Sequence, residues 1–284
     1  MAVTVGYQGT NGTFSEIAVM KYFEDREYEP KNYRNFSDIL NDLDCGVLDY
    51  ALLPVENTTT GIISRSVDLF RNYGIHAVGE INVPIRQNLI TLPEAKLEDI
   101  REIYSHPEAI SQCAQFFADH PGIRAVAYQD TARSVEYVRD CKDIHKAAIG
   151  SQRAAEYYGL KPLLKAVQDS NTNMTRFLCV TEKNEISPDA DKVSLYFAVK
   201  HEPGSLYQVL GVLAGRKINL LKLESRPIPG QMFEYCFYLD FSGTLLDDNI
   251  RGALAEIRRR CTECRVIGCY KAAPVEVQEG RTQA

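Results

Sequence analysis

VTVGYQGTNGTFSEIAVMKYF, residues 3–23, holds a short apolar strand pattern, a polar turn and a helical pattern in direct succession. The same succession recurs in YALLPVENTTTGIISRSVDLF (50–70), AVAYQDTARSVEYVRD (125–140) and AAIGSQRAAEYYGL (147–160). Strands that alternate with helices are typical of α/β architecture with a parallel sheet. These stretches therefore predict an α/β fold for this part of the chain.

Each of the four polar turns lies at the carboxyl end of its strand and precedes a helical pattern. Ligands of parallel sheets bind beyond that end of the strands, and the free N–H groups of a helix N-terminus favour anions. Four such turns at one cleft would suit a small acidic ligand. Each turn alone also fits simple N-capping, since Thr13-Phe-Ser-Glu16 has the form of a capping box.

The composition is typical of a soluble globular protein, with 284 residues, 45% hydrophobic and 25% charged. The length suggests about two domains. A net charge of −6 provides no basic footprint for nucleic acid, and the lack of a long apolar run predicts no membrane span. The N-terminal MAVTVGYQG shows no secretory signal pattern, so the expected location is the cytoplasm.

Eight cysteines are scattered along the chain, and without a signal peptide they are expected to be free thiols. Cys261-Thr-Glu-Cys264 is a CxxC pair, and Cys269 follows it. A zinc site usually needs four well-placed ligands, and no second CxxC or HxxxH pair is present in the sequence. The sequence therefore predicts no metal site and leaves the role of Cys261 and Cys264 open.

A second region follows the polar, proline-containing segment VTEKNEISPDADK (180–192). Strand patterns at 193–200, 218–228, 233–241 and 265–271 alternate with helical patterns at 204–215 and 247–260. The order βαββαβ predicts a ferredoxin-like unit. The polar tail at 273–284 is expected to be mobile.

Residues 171–177, NTNMTRF, run directly into the strand pattern LCVT. Because side chains alternate along a strand, Thr175 and Phe177 should share one face while Arg176 points to the other. A hydroxyl and an aromatic ring on one face would line a pocket for a small ring, or they simply begin a strand. The residues alone leave both interpretations open.

The motifs together resemble those of the prephenate dehydratase family with a C-terminal ACT regulatory domain. In the first region the resemblance rests on GYQGTNGTFSE (6–16), LPVENTTTG (53–61), YSHPEAISQC (104–113), YQDTARSV (128–135), AIGSQRAAEYYGL (148–160) and DSNTNMTRF (169–177). In the second region it rests on EPGSLYQVL (202–210), INLLKLESRP (218–227) and IGCY (267–270). It covers residues 3–272, and LPVENTTTG, NMTRF and ESRP in this order are jointly specific.

The resemblance implies a catalytic domain at 1–185 with a two-lobed α/β fold like that of type II periplasmic binding proteins. Lobe one would comprise 1–80 and 171–185, and lobe two 81–170. A ferredoxin-like ACT domain at 192–272 would follow. Because the motifs begin near the N-terminus, a fused chorismate mutase domain is not expected, and the chain is interpreted as monofunctional.

The implied reaction is the conversion of prephenate to phenylpyruvate in L-phenylalanine biosynthesis. Prephenate loses its ring carboxylate as carbon dioxide and its ring hydroxyl as water, and no redox cofactor or metal is implied. Aromatisation supplies the driving force. The protein must therefore help hydroxide leave, which needs a hydrogen-bond or proton donor, and must hold the carboxylates.

The resemblance also implies roles for single residues. Thr175 would donate a hydrogen bond to the departing oxygen, Phe177 would pack against the substrate ring, and Arg176 would brace the site. Asn57 and Thr58 would contact substrate or serve a hinge, and Glu56 would join them or hold the loop. Further substrate-binding candidates are Thr10, Thr13, Ser105, Gln112, Thr131, Ser151 and Asn173.

Some positions depart from the family pattern. Gln87 and Asn88 stand where a histidine is common, which favours a packing or binding role at that place over acid–base chemistry. Glu108 replaces a common glutamine. His106 precedes a proline and is interpreted as an orienting residue at most.

ACT domains commonly pair across subunits and bind an amino acid at the interface. The resemblance therefore implies L-phenylalanine as feedback inhibitor and a homodimer or tetramer. The implied effector residues are Gly204, Ser205, Leu206, Asn219, Leu220, Glu224, Ser225, Arg226 and Pro227.

Two alternatives remain at this stage. Arogenate, which has an amino group where prephenate has a keto group, would be dehydrated by the same kind of site. A two-lobed protein that binds or senses a small anion without turnover is the second alternative. The missing signal pattern and the DSNTNMTRF string favour an enzyme.

Overall fold

The computed structural model describes residues 2–274, so most of the predicted mobile tail, residues 275–284, lies outside the described residues. The strands are β1 (Val3–Gln8), β2 (Tyr28–Tyr33), β3 (Tyr50–Asn57), β4 (Gly61–Ile62), β5 (His76–Pro84), β6 (Asn88–Thr91), β7 (Glu102–Ser105), β8 (Arg124–Ala127), β9 (Lys146–Gly150), β10 (Lys161–Leu164), β11 (Met174–Thr181), β12 (Lys192–Ala198), β13 (Leu220–Pro227), β14 (Tyr235–Ser242) and β15 (Glu263–Tyr270). The helices are α1 (Phe14–Tyr22), α2 (Phe36–Asp44), α3 (Ser64–Val67), α4 (Leu69–Asn72), α5 (Pro107–Ser111), α6 (Ala114–Asp119), α7 (Thr131–Cys141), α8 (Gln152–Tyr158), α9 (Ser205–Gly215) and α10 (Asp248–Arg260), with a 3₁₀ turn at Leu97–Asp99.

The described chain divides into two units. The first comprises residues 2–61 and 82–177, and the second comprises Ile62–Ile81 and Leu178–Pro274. The boundaries fall inside β4, β5 and β11. Within residues 2–274, no helix has the length and apolar composition needed to cross a membrane.

The first unit contains strands of two sheets. One has the order β11-β3-β1-β2, with β1 parallel to both β2 and β3. The other has the order β10-β6-β9-β7-β8, with β7 parallel to β8 and β9, and β6 antiparallel to β9 and β10. The α/β fold class predicted from the sequence is confirmed, because parallel strands alternate with helices in each sheet.

The succession predicted after YALLPV is present, with one difference. The polar turn at 58–60 follows β3, and the helical segment is formed by α3 and α4 of four residues each, but the short strand β4 lies between the turn and α3. Three consecutive threonines disfavour a helix because β-branched side chains crowd the preceding turn. Gly61 then takes a φ of 79°, which reverses the chain.

The polar turn after β1 packs tightly on α8, which belongs to the second sheet of the same unit. Gly12 has a φ of 90°, and a Cβ at this position would lie 2.7 Å from the Cβ of Ala154. Only glycine fits so close an approach. Ser151 donates a hydrogen bond to the Gly12 carbonyl oxygen, and Asn11 Nδ2 donates to the Tyr157 hydroxyl at 2.6 Å. These contacts join the two sheets at their turns.

The second unit has the predicted βαββαβ order, formed by β12, α9, β13, β14, α10 and β15. Its strand order is β13-β14-β12-β15-β5, with antiparallel pairing from β13 to β15. Strand β15 then runs parallel to β5 at the pair Gly268 and Ala77. A Cβ on Gly268 would lie 2.1 Å from the Ala77 carbonyl oxygen, so this pairing requires glycine.

Alternation along the strands builds the core of the second unit. Val193, Leu195 and Phe197 point to one face of β12, and each is 0% exposed. The two helices cover this face with their apolar sides. Other members of the same cluster are Val209, Leu213, Leu239, Phe241, Ile250, Leu254 and Ile257. Each of these large side chains contributes roughly 1.5–3 kcal/mol when it is removed from water.

A single arginine ties the segment after α4 to β15. Arg265 Nη1 donates to the carbonyl oxygens of Phe70 at 2.9 Å and Tyr73 at 2.6 Å, and its Nη2 donates to that of Ile75 at 2.8 Å. The end of α4 leaves carbonyl groups without helical partners, and the guanidinium satisfies them. All four residues belong to the second unit.

Candidate active site and effector region

Asn57, at the end of β3, fastens this strand to β11. Its Nδ2 donates to Asn173 Oδ1 at 2.7 Å, to Thr175 Oγ1 at 3.0 Å and to the Met174 carbonyl oxygen at 3.1 Å. The side chains of this cluster are buried, with Asn57 6%, Asn173 3% and Thr175 8% exposed. Three of the predicted site residues therefore meet at one point, although 116 residues separate Asn57 from Asn173 along the chain.

The orientation of the Asn57 amide is determined by its backbone partners. Its Oδ1 accepts from the backbone N–H groups of Thr59 at 2.9 Å and Thr60 at 3.1 Å, which can only donate. Its Nδ2 faces the Met174 carbonyl oxygen, which can only accept. An amide satisfies both sides at once, whereas a carboxylate or an apolar side chain does not.

The Thr175 hydroxyl keeps its own hydrogen for another acceptor. In its contact with Asn57, the Thr175 oxygen is the acceptor. Within residues 2–274, no hydrogen bond uses the Thr175 hydroxyl as donor. Because hydrogen-bonded chains polarise one another, the bond from the Asn57 amide makes this hydroxyl a stronger donor.

Thr58 forms a second link between the same segments. Its backbone N–H donates to the Met174 carbonyl oxygen at 2.9 Å, and its hydroxyl donates to the Thr172 carbonyl oxygen at 3.0 Å. The same hydroxyl accepts from the Met174 N–H at 2.9 Å. These contacts hold the loop in place, and the substrate contact expected for Thr58 stays a prediction.

Arg176 and Glu56 lie on the other side of the strand pair. Burial alternates along the start of β11, with Thr175 and Phe177 buried and Arg176 partly exposed. Arg176 Nη1 lies 3.5 Å from Glu56 Oε2, and their side chains are 13% and 34% exposed. This ion pair balances one negative charge next to the cluster. Phe177 is 1% exposed and packs in the core, so its contact with a substrate ring stays a prediction.

The second sheet brings glutamines towards the same strand. The Gln87 N–H donates to Gln168 Oε1 at 2.9 Å, and Gln87 Nε2 donates to Gln112 Oε1 at 3.3 Å. Ile85, two residues earlier, donates its N–H to the Asn173 carbonyl oxygen at 2.9 Å. Gln87 is 2% exposed and Gln168 is 8% exposed, so this polar chain is buried.

Two buried polar atoms of this region lack a partner within residues 2–274. They are Nδ2 of Asn173, a donor, and Oε1 of Gln87, an acceptor. A buried polar group without a partner costs about 1–3 kcal/mol, and such groups often mark ligand contacts. Asn173 Nδ2 and the Thr175 hydroxyl are therefore two donors of one cluster, and Gln87 Oε1 is an unpartnered acceptor of the glutamine chain.

Asn88 has a structural role, and Gln168 is a buried residue that the sequence pattern did not reveal. Asn88 Nδ2 donates to the Gly150 carbonyl oxygen at 3.3 Å, and its Oδ1 accepts from the Ala166 N–H at 3.2 Å, so Asn88 holds neighbouring segments together. Gln168 was missed by the sequence analysis. It directly precedes the DSNTNMTRF string, but a single glutamine carries no local signal of burial.

Several predicted residues serve as helix caps. Thr13 Oγ1 accepts from the Glu16 N–H at 3.4 Å, and the Thr13 hydroxyl donates to the Thr10 carbonyl oxygen at 2.8 Å. Glu16 accepts from the Gly12 N–H at 2.6 Å, one residue earlier than in a regular capping box. Ser151 caps α8. Capping therefore occurs at both turns, and the ligand contacts predicted for Thr10, Thr13 and Ser151 stay predictions.

Three other polar residues are engaged elsewhere in the first unit. Ser105 is 0% exposed and donates to the Ile149 carbonyl oxygen at 2.8 Å. Thr131 is the first residue of α7, and the cap is Asp130, whose side chain accepts from the backbone. His106 is exposed and caps α5 through Nδ1, which agrees with an orienting role.

The predicted effector residues occupy two places in the second unit. Gly204 has a φ of 86° and is the N-cap of α9, and Ser205 and Leu206 line a cavity of roughly 430 Å³. The other residues of this cavity are Val199, Lys200, His201, Glu202, Pro203, Glu234, Tyr235 and Phe237. None of the predicted residues at 219–227 lines this cavity.

The second group lies on and beside β13, which ends its sheet on one side. Leu220, Glu224, Ser225, Arg226 and Pro227 belong to β13, and Asn219 precedes it. Arg226 Nη2 lies 2.9 Å from Asp68 Oδ2, and this hydrogen bond raises the pKa of Arg226. The pair holds the ESRP motif to the segment between α3 and α4.

No group of three or more His, Cys, Asp or Glu side chains in the described part of the chain is arranged to hold a metal ion. The candidate active site consists of hydroxyl, amide and ion-pair groups.

Comparison with known proteins places the chain in a family. A family model described as prephenate dehydratase matches residues 5–185. The chain therefore belongs to the prephenate dehydratase family, and it is an enzyme of the lyase class. The match covers the Asn57–Thr175 cluster and the glutamines of the second sheet.

Individual relatives agree with this assignment. The chain is 34% identical over 285 residues to arogenate dehydratase/prephenate dehydratase 1 of Arabidopsis thaliana, covering 94% of this chain and 72% of that protein. A solved prephenate dehydratase from Arthrobacter aurescens in complex with L-Phe superposes with a TM-score of 0.85 at 29% identity, covering 95% of this chain and 90% of that one. A structure described as GqqA, a novel type of quorum quenching acylase, superposes with a TM-score of 0.86 at 28% identity, covering 95% and 98%.

Proposed function

We propose that the chain is a prephenate dehydratase that converts prephenate to phenylpyruvate for L-phenylalanine biosynthesis. The observation that carries the proposal is the buried contact between Asn57 and Thr175, at 3.0 Å. It holds the Thr175 oxygen in place and leaves its hydrogen for a ligand. The catalytic unit would be the expected domain at 1–185, with lobe one at 1–80 and 171–185 and lobe two at 81–170.

Thr175 would act on the leaving hydroxyl group of the substrate. As the C–O bond breaks, negative charge develops on the departing oxygen. A fixed hydrogen-bond donor therefore stabilises the transition state more strongly than the ground state. A threonine hydroxyl is too weak an acid to transfer its proton fully, so Thr175 acts as a hydrogen-bond donor. Burial of the cluster strengthens this interaction, since little water competes for the donor.

The neighbouring groups suit a substrate with two carboxylates. Asn173 Nδ2 is a buried donor beside Thr175, and a carboxylate oxygen is a suitable acceptor for it. The Glu56 carboxylate is paired with Arg176, so it adds little net negative charge beside such a substrate. Loss of the ring carboxylate as carbon dioxide and departure of hydroxide, which takes a proton from solvent to become water, make the ring aromatic.

Arogenate is the second candidate substrate, because a relative 34% identical to this chain is named for both arogenate and prephenate. Arogenate and prephenate share the ring, the leaving hydroxyl and the ring carboxylate. They differ only in the side chain, where an amino group replaces a keto group. The cluster around Thr175 would act on either molecule.

Regulation by L-phenylalanine forms the finer part of the proposal. The region 192–272 would be an ACT domain that binds the inhibitor and pairs with a second copy to form a homodimer or tetramer. The solved relative in complex with L-Phe supports this ligand. The cavity at Ser205 and Leu206 offers apolar walls and charged side chains of both signs, which suit an aromatic zwitterion. The cytoplasmic location stays a prediction.

The test is a turnover assay on the full chain. Prephenate and arogenate are supplied separately, and phenylpyruvate or phenylalanine is measured, with and without added L-phenylalanine. We expect faster turnover of prephenate and suppression by L-phenylalanine. Turnover of arogenate alone would change the substrate. Binding of prephenate without turnover of either compound would favour the non-catalytic sensing protein.

A further inference from the structure

Cys261 and Cys264 lie together where α10 passes into β15. Cys261 directly follows the last residue of α10, and Cys264 is the second residue of β15. The chain bends at Thr262 between them. Both side chains are half-buried and pack against the same apolar core of the second unit. The two cysteines therefore lie at one helix–strand junction near the surface, and a hydrogen bond joins their side chains.

The two thiols are chemically unequal. The Cys261 thiol donates a hydrogen bond to the Cys264 sulfur, and this bond lowers the pKa of Cys264 although burial acts against it. The Arg258 guanidinium lowers it further. The same hydrogen bond and burial raise the pKa of Cys261. Cys264 is therefore the better nucleophile, and Cys261 holds a proton next to it.

The other cysteines occupy different surroundings. Cys141 and Cys236 donate to backbone carbonyl oxygens at 3.5 Å and 3.4 Å, and Cys269 accepts a backbone hydrogen bond at 3.3 Å. Cys113 and Cys179 are fully buried, and burial raises the pKa of the Cys113 thiol to about 12. Cys45 is exposed.

We propose that Cys261 and Cys264 form a dithiol redox site that reacts with small-molecule disulfides and closes to an intramolecular disulfide. The site is independent of the dehydratase reaction, because both residues belong to the second unit and neither is part of the Asn57–Thr175 cluster.

The reaction takes place in two exchange steps. The Cys264 thiolate attacks one sulfur of the small disulfide, a mixed disulfide forms on Cys264, and the first small thiolate leaves. Cys261 then loses its proton to solvent and attacks the Cys264 sulfur, so that the protein disulfide forms and the second small thiolate leaves. The protein loses two electrons and the small disulfide gains them, which yields two small thiols. A small dithiol reverses both steps.

The experiment uses the full chain with Cys45→Ser, which removes the exposed cysteine and leaves seven of the eight thiols. The protein is incubated with oxidised glutathione, freed of reagent and denatured, and its thiols are counted. Mass spectrometry of peptides locates each modification. We expect a fall from seven free thiols to five, no bound glutathione on the pair, and one disulfide that joins Cys261 to Cys264.

Two further variants in the same background separate the steps. Cys261→Ser should retain one glutathione on Cys264, because the second step is blocked. Cys264→Ser should acquire no glutathione on Cys261. The proposal is overturned if the parent keeps seven free thiols, or if glutathione stays on Cys264 while Cys261 is present. The result for the parent decides the question even if a variant fails to fold.

Discussion

Thr175 in the first unit is 8% exposed and Leu239 in the second unit is 0% exposed, so both lie away from solvent. Their surroundings differ in chemistry. Thr175 is held by the amide of Asn57, whereas Leu239 is surrounded by the apolar cluster under α9 and α10. The polar cluster depends on the position of single hydrogen atoms, while the apolar core depends on volume.

The difference explains why the two regions tolerate change differently. An apolar core accepts substitutions of similar volume at little cost, typically below about 1.5 kcal/mol. A buried hydrogen-bond network tolerates substitution poorly, because removal of one partner leaves the other buried without a hydrogen bond to protein or to water. The network is therefore a poor means of stabilising a fold and a good means of placing a donor. Substitutions in the two regions should separate activity from stability.

The largest effect is expected for Thr175→Ala. Removal of the donor to the leaving oxygen should lower kcat on prephenate by about 10²–10³-fold, as for loss of one fixed hydrogen-bond donor to a developing oxyanion. Stability should change little, because Asn57 Nδ2 keeps two other acceptors. Steady-state kinetics and thermal unfolding measure the two quantities. Thr175→Ser retains the hydroxyl and should recover most of the rate; an alanine variant with the parent kcat would remove Thr175 from the mechanism.

Leu239→Ala should have the opposite profile. A cavity in the core of the second unit should lower the free energy of unfolding by about 2–5 kcal/mol, as large-to-small core substitutions do. The kcat of the folded protein should remain close to that of the parent. Leu221→Ala, at a position 47% exposed, is the matched control and should change stability by less than about 0.5 kcal/mol. Equal losses in the two variants in urea unfolding would contradict the assignment of the core.

Asn57→Asp should lower kcat by less than Thr175→Ala does, and the free energy of unfolding by less than Leu239→Ala does. The carboxylate still accepts from Thr59 and Thr60, but it no longer donates to the β11 side. We expect a loss of about 1–3 kcal/mol in stability and a reduced kcat, because the Thr175 oxygen loses its donor. Asn32→Asp is the control, since Asn32 is exposed on β2. Parent-like unfolding and kinetics for Asn57→Asp would show that the amide donor is dispensable.

The smallest expected effect is a change in the pH dependence of stability, caused by His76 in the second unit. Burial lowers the pKa of His76, and the Arg265 charge lowers it further. His76 therefore binds a proton more readily in the unfolded chain than in the folded protein, so its protonation favours unfolding. The contribution of neutral His76 to the free energy of unfolding is complete above a pH of about 6.5 and is lost as the pH falls below it. His76→Gln should show a weaker fall in urea midpoint between pH 7.5 and pH 5.5 than the parent. An unchanged slope would assign the pH dependence to other groups.

The sequence by itself determined the features that depend on neighbouring residues. Alternation of strands and helices, the βαββαβ order and the capping residues Thr13 and Ser151 follow from local periodicity and local hydrogen bonding. The family motifs identified the dehydratase class. After YALLPV the expected polar turn and helical segment are present, but local reasoning missed the short strand β4 between them and the division of the helical segment into α3 and α4. It also missed that Asp130, one residue before the candidate Thr131, is the cap of α7.

Tertiary structure alone decided which distant residues meet. Asn57 reaches Asn173 and Thr175 because β3 and β11 are neighbours in the sheet, and Gln87 meets Gln168 across 81 residues of chain. Side-chain periodicity reports which face of an element is buried, but it contains no information about the element that covers it. Pairing of strands far apart in the chain therefore determines which polar atoms are satisfied and which, such as Asn173 Nδ2 and Gln87 Oε1, remain for a ligand.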